Sequence, residues 1–348
     1  MIIKKYCTAA VCATAAIIIT VNAQEMMLYV KSALELCYSN VIPSLFVFMV
    51  LSSYLGQAGF SQILSIPFTW YSRIMKIQDR KFACAVLLSL TGGFVVGAGF
   101  LKEFSESGYD RNCLKTISPV LINNSFSFCF FAVGIGMLGN MYTGIMLFIS
   151  LTAASLITGF MLSFYHQYNI VTVNNLDKTK SKSFVDCVNS SVKNILSICG
   201  FVVIFYVLCK VLSLYTSSNM LKNTLYSLME VTCRCSNIAL NSGKNSFFIC
   251  AALSFYPLST LCQVFYFTDD LKILKALVFS RFIHTPVSLV IFTVLCNLFP
   301  VSTMVLSPEN VAVKYFYNTS EISVTLFMII LSFIMISDRK KLFTKTVK

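Results

Sequence analysis

The sequence predicts an all-α polytopic membrane protein, with about eight transmembrane helices and a re-entrant hairpin arranged as two inverted repeats. Three observations carry that expectation. The chain is 57% hydrophobic and 12% charged, half the roughly 25% charge of a soluble domain, so it cannot cover a water-facing surface. Its apolar residues come in long blocks, and about 20 apolar residues at 1.5 Å each cross a ~30 Å hydrocarbon core. The Lys and Arg residues behind its net charge of +13 fall between those blocks, where they read as topology signals.

The same features set aside other classes. No basic run is interleaved with exposed aromatics, so nucleic acid is not an expected partner. No P-loop, dinucleotide fingerprint, zinc motif or nucleophile elbow is present, so no cofactor, metal or enzymatic activity is expected. Most of the 14 Cys lie inside apolar blocks, where a thiol packs as a small hydrophobe.

Lys4 and Lys5 precede an apolar run from Tyr6 to Val21. It is either a signal-like segment ending near Val21-Asn22-Ala23 or a first helix that is kept; retention is the favoured reading. Residues 1–23 form this N-terminal element, and the first repeat then covers 24–164. An amphipathic lead-in, 24–40, carries Met27, Val30, Leu34 and Cys37 at helical spacing. A span at 41–55 follows, entered by Pro43. Phe60 to Lys81 mixes Trp70 and Tyr71 with Arg73, Lys76 and Arg80, the mixture of a membrane interface.

The next span, 82–101, holds Gly92, Gly93 and Gly97. Glycines in a membrane helix permit close packing; alternatively they mark a broken helix facing a substrate path. After a charged connector, 118–138 is apolar but contains Pro119 and the polar run Asn123-Asn124-Ser125. A clean span at 141–164 leads to a basic linker, 165–193, which divides the chain. The second repeat, 194–348, has spans near 195–215, 247–267, 285–306 and 323–336 and ends in a basic tail.

The N-terminus, residues 73–81, the 165–193 linker and the C-terminal tail are all rich in Lys and Arg, which places them in the cytoplasm. They agree only with eight crossings, and the expectation is that 118–138 turns back as the hairpin. The span at 41–55 then runs opposite to its partner at 195–215, an inverted repeat of the kind secondary transporters use.

Polar side chains inside apolar blocks are the candidate site, because each is costly in hydrocarbon. The first cluster is Asn123, Asn124, Ser125 and Ser127. The second, Glu230, Thr232, Arg234 and Asn237, sits in the 216–245 connector, where a surface helix would also explain it. The third is Ser254, Tyr256, Pro257, Ser259 and Gln263; Pro257 should kink its helix. Arg281 and His284 lie one turn apart. They are interfacial, or paired with Glu230, or offered to an anion.

In order and polar content these segments resemble the YlbJ-type sporulation integral membrane proteins, of the nucleoside-recognition gate group. The resemblance runs from about Ala33 to Val290. It rests on Ile42-Pro43-Ser44-Leu45-Phe46-Val47-Phe48, on Gly92-Gly93-Phe94-Val95-Val96-Gly97-Ala98, and on Asn123-Asn124-Ser125-Phe126-Ser127 followed by Gly134-Ile135-Gly136-Met137-Leu138-Gly139-Asn140. In the second half it rests on Met229-Glu230-Val231-Thr232, on Leu253 to Ser259 with Gln263, and on Arg281-Phe282-Ile283-His284.

The resemblance implies a sporulation-associated transporter moving a small organic anion, dipicolinate, across the outer forespore membrane. Gly92, Gly93, Gly97, Asn123, Asn124, Ser125, Glu230, Thr232, Ser254, Ser259, Gln263, Arg281 and His284 would bind it. The alternative is a non-transporting scaffold of the spore envelope. Expected partners are membrane lipid, the anion, and a second copy or other sporulation membrane proteins. The family's prolines are replaced by Val95, Ser125 and Ser127 and its glycine by Phe126, which points to a narrowed path.

Overall fold

The computed structural model describes residues 20–57, 60–166, 168, 183–216, 218–232, 235 and 246–299. The expected spans at 6–21 and 323–336, the basic tail, Arg234, Asn237 and most of the 165–193 linker lie outside these. The described elements are helices, with no strand among them. Five are long and apolar enough to cross a membrane: Ala23–Gly56, Met141–Tyr165, Phe184–Leu214, Ser246–Thr268 and Leu271–Leu298.

The chain begins with α1 (Ala23–Leu36), which passes through a π-helical turn, Cys37–Val41, into α2 (Ile42–Gln57). Short turns over 61–74 lead to α3 (Arg80–Gly92), whose N-terminus is capped by the Asp79 side chain accepting from Lys81 N. At Gly93 the backbone takes φ 83°, a left-handed value that costs glycine little. The chain reverses there into α4 (Phe94–Glu106). The two arms lie side by side. Lys81 and Glu103 form an ion pair at their base, and a Cβ on Gly97 would sit 3.3 Å from Ser89 Cβ. Each arm of 13 residues is about 20 Å long at 1.5 Å per residue, short of a ~30 Å hydrocarbon core. The stretch 82–101, expected to span, is therefore a hairpin that enters and leaves by one face.

The expected hairpin at 118–138 does not turn back. It is the continuation of α5 (Arg111–Leu121), interrupted at 122–127 and resumed as a π-helix, Phe128–Met137. Both pieces run antiparallel to one unbroken helix, α6 (Met141–Tyr165). Contacts step along α6 in order. Gly134 lies against Gly144, Phe126 against Phe148, Pro119 O accepts from Ser155 at 2.5 Å, and Thr116 meets His166 at 3.2 Å. Pro119 and the Asn-rich run did signal a break, but a break reverses the chain only if a residue can adopt the turn. Gly93 can; at 122–127 the two helical pieces stay in line.

The second half starts with α7 (Phe184–Leu214), opened by a capping box between Ser183 and Asp186. Then α8 (Asn219–Met229) ends at Glu230, whose backbone is extended. α9 (Ser246–Phe255) and α10 (Leu258–Thr268) are two pieces of one crossing, broken at Tyr256-Pro257. They run antiparallel to α11 (Leu271–Leu298): Cys250 Sγ reaches Ser288 O at 3.8 Å, and Arg281 lies under Tyr256. Arg281 is thus mid-helix and buried, not at an interfacial helix start.

These contacts define two ends of the bundle. Asn22 hydrogen-bonds Tyr215 at one, the Tyr215 face. At the other, the His166 face, Tyr54 packs on Phe184 and Tyr168 donates to Met75 O. The α3–α4 hairpin dips in from the His166 face. α8 leads from the Tyr215 face to Glu230 and Thr232, and these two members of the second cluster are buried and not on an exposed helix face.

Candidate functional site

The two broken crossings meet at their breaks. Pro257 has no N–H, so Leu253, four residues back, lacks its usual helical donor. The side chain of Asn124, in the other break, donates to Leu253 O at 3.0 Å. Reciprocally, Tyr256 donates its hydroxyl to Ile122 O at 2.7 Å. That carbonyl lies at the C-terminus of α5, where helical acceptors have no partner of their own. Ser125 completes the arrangement by accepting from Phe128 N at 3.1 Å at the start of the π-helix. In hydrocarbon every backbone polar group needs such a partner. Tyr256 holds a left-handed φ of 60°, an uncommon conformation for a bulky residue. The breaks are therefore built structure.

Beside the crossing lies a small cavity of ≈ 50 Å³. Gly92, Gly93, Asn124, Ser125, Glu230, Thr232 and Gln263, all among the sequence candidates, line it together. The Thr232 hydroxyl hydrogen-bonds the Glu230 carboxylate. Gln263 Nε2 donates to Ser259 Oγ at 3.1 Å, so Ser259 positions Gln263 from behind. The hairpin tip at Gly93 touches the first break: a Cβ there would lie 3.3 Å from Ser125 Cβ. The far wall is apolar, with Val41, Leu45, Met49, Ile198 and Val202.

Other candidates fall outside the cavity. Gly97 sits lower on the hairpin, where a Cβ would be 1.9 Å from Leu121 O; its role is close packing. Asn123 is buried, accepts from Asn124 N at 2.9 Å, and leaves Nδ2 without a partner. Ser254 is buried against its own helix, donating to Ala251 O. Arg281 and His284 do not line the cavity. The Arg281 guanidinium is 4.1 Å from the Tyr256 ring centroid, and none of its nitrogens finds a hydrogen-bond partner. His284 Nε2 is 3.2 Å from Leu151 O. No ion pair joins Arg281 to Glu230, so that expected pairing does not form. Phe126 stacks on Phe130 and Phe148 and does not line the cavity, so it narrows nothing there.

Thr260 lines the cavity and had not been singled out. Pro257 implies a freed backbone carbonyl, which the structure identifies as Leu253 O; the Ile122 carbonyl and both caps were not anticipated. Among the described residues no cluster of three or more His, Cys, Asp or Glu is placed to hold a metal. Comparison with protein-family models, with curated proteins and with solved structures gave no match.

Proposed function

We propose that the chain is a membrane transporter for a small organic anion, with dipicolinate, in a spore-forming cell, as the cargo to test. The observation that carries this reading is the crossing of two broken helices beside a polar cavity. Such breaks bring helix ends and polar side chains to mid-membrane, the arrangement by which transporters hold polar cargo. A scaffold has no need of a mid-membrane cavity lined by a carboxylate, amides and hydroxyls. Polar groups at that depth are costly unless they serve a path.

The proposal extends to topology. Arg73, Lys81, Lys102, Arg111, Lys115 and Lys272 all belong to the His166 face, so the positive-inside rule makes that face cytoplasmic. With one crossing each at 6–21 and 323–336, the count is eight and both termini are cytoplasmic. The two halves then correspond as inverted repeats. The hairpin at Gly93 matches the dip at Glu230, and the break at 122–127 matches the break at 256–257. Sharing the cavity with an anion requires Glu230 to be neutralised, by a proton or by a cation carried with it.

Arg281 supports an anionic cargo indirectly. Two helix C-termini, of α5 and α9, end at the crossing, and each carries a partial negative charge. The buried guanidinium beneath Tyr256 offsets these dipoles. The test is uptake of labelled dipicolinate by liposomes holding the purified protein. Uptake should exceed that of empty liposomes and be lost with Asn124→Ala and with Arg281→Ala. Uptake equal to that of empty liposomes ends the substrate assignment; uptake unchanged in both variants ends the site.

A further inference from the structure

On the His166 face, a groove between α5, α6 and α11 is lined by Lys115, His166, Lys272 and Lys275 at its polar end. Its lower wall is Met161, Tyr165, Phe279 and Ile283. Its volume is ≈ 650 Å³, room for a phospholipid headgroup. We infer that this groove is a binding site for an anionic phospholipid, its phosphate held among the three lysines and its chains laid along the apolar wall.

Three observations support the assignment. First, the lysines are uncompensated. Among the described residues no carboxylate lines the groove, and none of the three lysines forms an ion pair with any of them. Two neighbouring acids cap helix N-termini. Asp270 accepts from the backbone of Lys272 and Ile273, and Asp110 accepts from Asn112 N.

Second, Lys272 stands where a helix disfavours a cation. It occupies the first turn of α11, with Lys275 one turn on and Lys115 in the second turn of α5. The N-terminal end of a helix is positive and favours anions, so an external anion would reward the placement of Lys272.

Third, the wall is oriented for lipid. Tyr165 is 81% exposed and Phe279 70%. A soluble anion gains nothing from that apolar surface, whereas an acyl chain covers it. Basic pockets between transmembrane helices on the cytoplasmic side are a recurrent form of headgroup site.

The experiment uses the full chain purified in a neutral detergent. Affinity is read from titration with dioleoyl phosphatidylglycerol, with dioleoyl phosphatidylcholine and with inorganic phosphate, each followed by native mass spectrometry and thermal melting. Phosphatidylglycerol should bind and raise the melting temperature more than phosphatidylcholine. Inorganic phosphate at equal concentration should leave melting unchanged. A juxtamembrane lysine contributes about fivefold in affinity for an anionic surface. The triple variant Lys115→Gln/Lys272→Gln/Lys275→Gln should therefore bind phosphatidylglycerol roughly 100-fold more weakly. Should that variant fail to fold, raising the salt on the unmodified chain replaces it, and the phosphatidylglycerol preference should shrink. Equal effects of the two lipids would overturn the site. So would a preference that survives both the variant and high salt. A response to inorganic phosphate matching that to phosphatidylglycerol would make it a soluble-anion site and overturn the lipid assignment.

Discussion

The reciprocal capping at the crossing makes a quantitative demand on Asn124. Its amide donates to Leu253 O because the residue four positions on is Pro257 and brings no N–H. Asn124→Ala leaves that buried carbonyl unsatisfied, a loss of about 1–3 kcal/mol for a typical buried acceptor. Interhelical bonds in membranes run lower, about 0.6 kcal/mol on average with a maximum near 1.7, so ~1–2 kcal/mol is the expected cost. Pro257→Ala changes the demand. It restores a donor at the position that normally serves Leu253 O and frees Tyr256 from its left-handed backbone. In that background Asn124→Ala should cost less than ~0.5 kcal/mol. The assay is a double-mutant cycle by equilibrium unfolding in mixed micelles, followed by circular dichroism. A coupling of about 1 kcal/mol or more is expected. The same loss in both backgrounds would refute the idea that Asn124 substitutes for the missing proline donor.

Three further outcomes follow from the geometry. Gly97→Ala should cost more than ~3 kcal/mol or abolish accumulation, since its Cβ would meet the backbone at Leu121. Gly99→Ala, with nothing within 4 Å of the added carbon, should stay within about 0.5 kcal/mol of the parent; expression level and melting temperature decide both. His166 lies just past α6, and burial followed by the nearby charge of Lys115 lowers its pKa below the usual histidine value. Its imidazole should stay neutral to a lower pH than a free one, and Lys115→Gln should shift the titration upward; NMR of labelled histidine reads this, and a downward shift would contradict it. Arg281→Met should lower thermal stability, because the guanidinium's contact with the Tyr256 ring and its offset of two helix C-termini are lost. A melting temperature unchanged or raised would show that burying the charge costs as much as those contacts return.

The membrane class and most polar positions were legible in the sequence, and for one reason. Hydrocarbon penalises every misplaced polar group, so Asn124, Glu230 and Gln263 stood out, and the cavity gathers them. What could not be read was which interruption turns the chain. Residues 82–101 and 118–138 are both apolar and both broken. The difference lies in Gly93, free to adopt φ 83°, against a break whose loose ends are capped by Tyr256, 134 residues away. The dip at Glu230 was hidden for the same reason. Its 11-residue arm, α8, is too short for a span; it packs on α7, with Cys209 Sγ 3.9 Å from Leu225 O, and only its end carries Glu230 into the core. Hydropathy counts residues along the chain, whereas these outcomes depend on partners across the bundle.

Ile122 and Tyr256 are also separated in time. A ribosome adding about 5–20 residues per second needs roughly 7–27 s to travel the 134 residues between them. Through that interval the first half sits in the bilayer with the Ile122 carbonyl and the Asn124 amide lacking the groups that finally satisfy them. Water, lipid headgroups or the insertion machinery must shield that interruption until the second half arrives. Biogenesis of this chain is therefore most vulnerable between its halves, and a chain truncated in the 165–193 linker should be cleared by membrane proteases while the full-length chain persists.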